Sequence, residues 1–157
     1  MNSQDSGLDF ATRDNIEKAR NGREFEKRLA GNILEPLKSK GVIDDFKFQP
    51  VYAGCFNPDF EVRKGNKIVV VDTTTTARTD RIKGKQWNAY HAKRILRSQP
   101  SLKKGKKEIT AYVVVRSTRD KEKASFLRAK KNIAKCSYGS VDDVLSVEEF
   151  AKLLADL

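Results

Sequence analysis

Histidine occurs once in this 157-residue chain and cysteine twice. A lone histidine, His91, argues against a Ser-His-Asp triad and against a multi-histidine zinc site. Cys55 and Cys136 stand far apart with no CxxC pattern, so neither a disulfide framework nor a zinc knuckle is indicated. A reduced, intracellular chain is the simpler expectation. The opening stretch MNSQDSGLDF has neither the basic nor the apolar region of a signal peptide. No apolar run approaches the roughly 18–20 residues needed to cross a bilayer, so no membrane partner is expected. No internal repeat, helix-turn-helix or zinc-finger pattern is present. The only low-complexity piece is the run Thr73 to Thr76.

Hydrophobic residues make up 38% of the chain, enough for one globular core and too much for a disordered chain. A single domain over 1–157 is expected, with 1–12 as a flexible arm. Thirty-two Lys and Arg against 21 Asp and Glu give a net charge of +11. That excess points to a polyanionic partner, because phosphates reward lysine and arginine through counterion release.

Apolar residues recur at helical spacing from Arg13 to about Lys38, through Ile16, Phe25, Leu29, Ile33 and Leu37. Gly22 is placed to break this helix, Pro36 to kink or end it, and Gly41 to close it. FKFQPVY, 46–52, reads as a strand. PDFEV and KIVVVDTTT form a hairpin about Lys64-Gly65-Asn66. Thr79 or Asp80 caps a helix reaching about Arg97. EITAYVVVRS, 108–117, reads as a central strand, 120–135 as a basic helix and SVDDVL as a short strand. SVEEFAKLLADL opens a last helix with a capping box, Ser146 to Glu149. The order α-β-β-β-α-β-α-β-α predicts an α/β fold, a mixed central sheet flanked by helices.

Two acids in the hairpin carry the chemistry. Ile68, Val70, Asp72 and Thr74 share one face of the strand, Val69, Val71 and Thr73 the other. Asp72 therefore follows two apolar residues on its own face, where an unpaired carboxylate is costly to desolvate. A divalent cation offsets that cost, and Mg²⁺ prefers carboxylate oxygens. Asp59 lies on the neighbouring strand, and the turn falls midway between the two, which brings them together at the open end of the hairpin.

PDF…VVVDTT resembles the PD-(D/E)XK nuclease superfamily of restriction endonucleases, Holliday-junction resolvases and RecB-like exonucleases. GREFEKRL is similar to the first-helix pattern of resolvases and would make Glu26 a helix carboxylate facing the site. QWNAY matches a Gln-x-x-x-Tyr element, Gln86 and Tyr90, on the helix after the active strand. The resemblance spans roughly residues 20–117. It implies a restriction endonuclease-like core and a cytoplasmic, prokaryotic or phage-like enzyme. It implies Mg²⁺, with Mn²⁺ as substitute, held by Asp59, Asp72 and Glu26, with the Thr73 carbonyl as a further ligand. The chain departs from the pattern at Thr74, where the family has its lysine. Cap-snatching viral endonucleases also have an acid-x-Thr strand and take their lysine from the following helix, which here offers Lys83 and Lys85. Either would orient the attacking water or offset charge, with Gln86 holding that lysine or a phosphate oxygen.

The nucleic-acid footprint is expected on Arg78, Arg81, Lys93, Arg94 and Arg97, on the loop run Lys103, Lys104, Lys106 and Lys107, and on Arg116 and Arg119. Trp87 is a candidate for stacking on a base, although a lone Trp on an amphipathic helix is more often core. The resemblance implies a type II restriction-like DNA endonuclease, plausibly a homodimer. A homing endonuclease, a junction resolvase, a cap-snatching RNA endonuclease and a catalytically inactive DNA-binding protein are the alternatives.

Overall fold

The computed structural model describes residues 20–51, 58–98, 107–116, 118, 122–135 and 140–157. The expected arm, the helix start near Arg13, both cysteines, Lys103, Lys104, Lys106 and Arg119 lie outside these residues.

Helix α1 is α-helical over 20–29, widens to a π turn over Ala30–Leu34 and closes as an α-helical turn over Glu35–Ser39. Neither Gly22 nor Pro36 breaks it, against expectation. The N–H of Glu35 donates to the carbonyl of Ala30, five residues back. This wider register accommodates Pro36, which has no N–H and crowds the carbonyl four residues back. Gly41 does close the region, at φ +74°. Its N–H donates to Lys38 and that of Val42 to Leu37, the bond pair of a Schellman motif.

Strand β1, Asp45–Phe48, is shorter than the 46–52 expected. Gln49 takes φ +46°, and Pro50 has no N–H to extend the ladder. Strands β2, Phe60–Lys64, and β3, Lys67–Thr74, form the hairpin. Helix α2 covers Thr79–Ser98, strand β4 Glu108–Val115, helix α3 Lys123–Lys135, strand β5 Asp143–Ser146 and helix α4 Val147–Ala155. Thr79 is itself helical, and the carbonyl of Arg78 accepts the first helical bond from Ile82. The capping box of Ser146 and Glu149 is present.

The five strands lie in the order β1-β2-β3-β4-β5. β1, β2 and β3 pair antiparallel, while β3-β4 and β4-β5 pair parallel. The mixed sheet with flanking helices is the α/β architecture expected. Strand alternation feeds two cores. Ile68, Val70, Val113 and Val115 pack with Ala89, Ala92 and Leu96 of α2 and Phe126 and Ile133 of α3. Val69, Val71, Phe60 and Val62 pack with Phe25 and Leu29 of α1 and Phe150 and Leu154 of α4. β3 is thus covered on both faces, which explains its unbroken Ile-Val-Val-Val run. Glu61, buried in β2, is structural: its carboxylate pairs with Arg63 at 3.1 Å. Among the described residues no helix is long and apolar enough to cross a membrane.

Candidate active site

The hairpin register sets the site. Phe60 pairs with Val71, so Asp59, one step before, faces Asp72, one step after. The Asp59 amide donates to the Asp72 carboxylate. Thr73 holds Asp59 from the other side: its N–H donates to Asp59 Oδ2 at 2.7 Å and its hydroxyl donates to the same oxygen at 2.8 Å. Thr73 thus meets the site through its amide and hydroxyl. Thr74, on the same strand face as Asp72, donates its hydroxyl to the carbonyl of Thr76 at 2.8 Å. The threonine run therefore fixes one acid and shapes the turn by which the chain leaves β3 for α2.

α1 adds Glu26, which lies within hydrogen-bonding reach of Asp59. Gln49, in its positive-φ conformation, donates Nε2 to Glu26 Oε2 at 3.5 Å. Burial, the charge of Asp59 and the hydrogen bond with Asp59 push the Glu26 carboxyl up to about 7. α2 adds Lys85, with Nζ 3.9 Å from Asp72 Oδ1, and Asn88, whose side chain bonds Asp72. Asp72 is only 5% exposed. Burial pushes it up to about 6, against the opposing pull of Lys85.

A cavity of about 370 Å³ opens over these groups at the C-terminal ends of β3 and β4. Glu26 and Asp59 line it, together with Thr73 to Thr76, Lys85, Arg78, Arg81 and Arg116. Asp72 lies beneath this wall. The lining combines acids with lysine and arginine, a set that suits both a cation and an anion.

Among the described residues no group of three His, Cys, Asp or Glu is placed to hold a metal. Mg²⁺ does not need one, since it keeps several waters and binds through one or two carboxylates. Glu26 and Asp59 on the wall meet that requirement, with Asp72 behind them. The buried hydroxyl of Thr76, on the same wall, has no hydrogen-bond partner among the described residues. Hard oxygens, a desolvated acid and an orphaned polar atom fit a hydrated divalent cation.

Of the two candidate lysines, the structure brings Lys85 to the acids. Lys83 is exposed and does not line the cavity. Gln86 is committed elsewhere: its Oε1 accepts the backbone N–H groups of Ser140 and Val141 at 2.9 and 2.8 Å. It ties α2 to the approach of β5, which corrects its expected place beside the lysine. Lys93 is also corrected as a phosphate contact, being 9% exposed and bonded to Asp142 at 2.9 Å. Arg94 and Arg97 line a separate groove further along α2. Lys107 precedes the first residue of β4, whereas the cavity residue Arg116 follows the last, about 30 Å along the strand. Trp87 and Tyr90 are exposed rather than core. Asn88 and Gln49 were not singled out by the sequence. Only their placement beside β3 and after β1 reveals them, because neither residue type marks a site by itself.

No family model and no curated protein matches the chain.

Proposed function

We propose that this protein is a Mg²⁺-dependent endonuclease that hydrolyses phosphodiester bonds in DNA, built on a restriction endonuclease-like core. The observation that carries the reading is the Glu26–Asp59–Asp72–Lys85 cluster at the C-terminal ends of the parallel strands, in a cavity shared with Arg78, Arg81 and Arg116. Acids whose charge is opposed by burial and by a neighbouring carboxylate, as at Glu26 and Asp72, mark functional sites more than structural ones when they gather at a cleft. Glu26 and Asp59 would hold the metal, with Asp72 supporting from beneath. When bound, Mg²⁺ supplies a Lewis acid for the phosphate and a water of lowered pKa.

The chain's own residues do the remainder. Arg78, Arg81 and Arg116 seat the phosphate in the cavity. Asp72, fixed by the Asp59 amide and Asn88, orients the ammonium of Lys85. Lys85 then offsets the negative charge that builds on the phosphate during attack. Thr73 keeps Asp59 from swinging away. One such cavity cuts one strand, and a symmetric pair of chains would cut two.

Thr74 favours a second reading, a nucleic-acid binder that does not cut, because it removes the strand's own lysine. Cleavage separates the two. The protein is incubated with supercoiled plasmid, branched DNA and single-stranded RNA, in Mg²⁺, in Mn²⁺ and in EDTA, beside Asp72→Ala. Metal-dependent DNA cutting that Asp72→Ala abolishes is the expected result. Binding without cutting in either metal would leave the binder.

A further inference from the structure

α2 carries an exposed stripe that the cavity chemistry leaves unused. Trp87, Tyr90, Arg94 and Arg97 recur at intervals of three, four and three, which places them on one helix face. Ala89, Ala92 and Leu96 bury the opposite face against the sheet. Trp87 is 56% exposed and Tyr90 46%. Their rings lie near-parallel, 22° apart in tilt with centroids at 6.0 Å. His91 braces the indole edge-on at 4.6 Å. A groove of about 560 Å³ runs beside them, lined by Tyr90, Arg94, Arg97 and Ser140 among others. Neither arginine forms an ion pair among the described residues. From Arg81 to Ser98 the helix contains no acidic residue.

We propose that this stripe binds an unpaired, single-stranded segment of the DNA substrate. Trp87 and Tyr90 take base faces, and Arg94 and Arg97 take the flanking phosphates. The proposal rests on the DNA-cutting reading above and adds the class of DNA. A duplex hides its base faces in the stack, so an exposed indole gains little from it, whereas unpaired bases stack on any aromatic plane. Phosphate contacts alone need cations and no aromatics. An apolar protein partner is disfavoured, because covering the stripe would strip water from two arginines with no carboxylate to receive them.

The chain has a single tryptophan, so its emission reports on this stripe alone. The full chain is titrated in EDTA with oligo-dT and with a duplex of equal length. Single strand is expected to quench the emission and duplex to leave it unchanged. With labelled DNA, the double variant Trp87→Ala/Tyr90→Ala loses about tenfold or more in single-strand affinity and about twofold or less for duplex. Arg94→Gln/Arg97→Gln lowers the logarithmic salt slope of single-strand binding by about 1.4, with unchanged circular dichroism. Unquenched emission at saturation with single strand would overturn the proposal, as would equal losses for the two DNAs. An emission shift that follows protein concentration alone would also overturn it, by showing a second copy on the stripe. EDTA separates this test from cleavage. Quenching without metal-dependent cutting refutes the nuclease reading alone, and cutting of plain duplex without quenching refutes the stripe alone.

Discussion

Asp72 is a carboxylate that folding takes almost wholly out of water. Two hydrogen bonds and an ammonium at 3.9 Å offset only part of that desolvation, so the folded protein keeps its proton up to about pH 6. The unfolded chain releases it near the ordinary aspartate value of 3.8. Between those values the folded state binds more protons, and metal-free stability falls as pH rises. Wild type is expected to lose about 2–3 kcal/mol more than Asp72→Asn between pH 4 and pH 7 in urea unfolding without metal. A parallel pH dependence of the two proteins would remove this account of Asp72. Lys85 carries the second prediction at this scale. Lys85→Met should lower kcat by about 10²–10⁴ with little change in fold, Lys85→Arg should recover part of it, and Lys83→Met should cause a far smaller loss. Single-turnover cleavage reads all three. Both aspartates were legible in the sequence, because a hairpin turn midway between two acids brings them together whatever the surrounding fold. Lys85 could not be separated from Lys83, since that choice depends on where α2 sits against β3. Asn88, Gln49 and the tie from Gln86 to Ser140 depend on tertiary placement, and no local pattern encodes them.

Elements were legible in kind and order, less so at their ends. The helix of α1 passes through Pro36 because a π turn absorbs it, and periodicity gives no sign of an added residue in a turn. β1 stops early because Gln49 enters the left-handed region, which a glutamine rarely does. The cap readings held at Gly41 and Ser146 but not at Thr79, which lies inside α2. Gly41 closes α1 at φ +74°, with open space where a Cβ would point. Gly41→Ala is therefore expected to destabilise by about 1 kcal/mol through backbone strain alone. Ser146→Ala should destabilise by about 1 kcal/mol through loss of the α4 cap. The sites share no partners, so the double variant should add in urea unfolding.

Across the whole molecule, the net charge of +11 told of a polyanion but not of where it lies. Packing sorted the cations. Lys93 and Lys130 are bound to carboxylates, Arg78, Arg81 and Arg116 gather at the cavity, and Arg94 and Arg97 line the outer groove. DNA binding should weaken steeply with salt, and Arg81→Gln should reduce the duplex salt slope by about 0.9. Calorimetric titration of metal-free protein with Mn²⁺ and Mg²⁺, repeated for Asp59→Ala, tests the central claim most directly. Saturable binding by the wild type, lost in a folded Asp59→Ala, is the result predicted. No binding of either ion, or equal binding by the variant, would contradict a metal site at these acids.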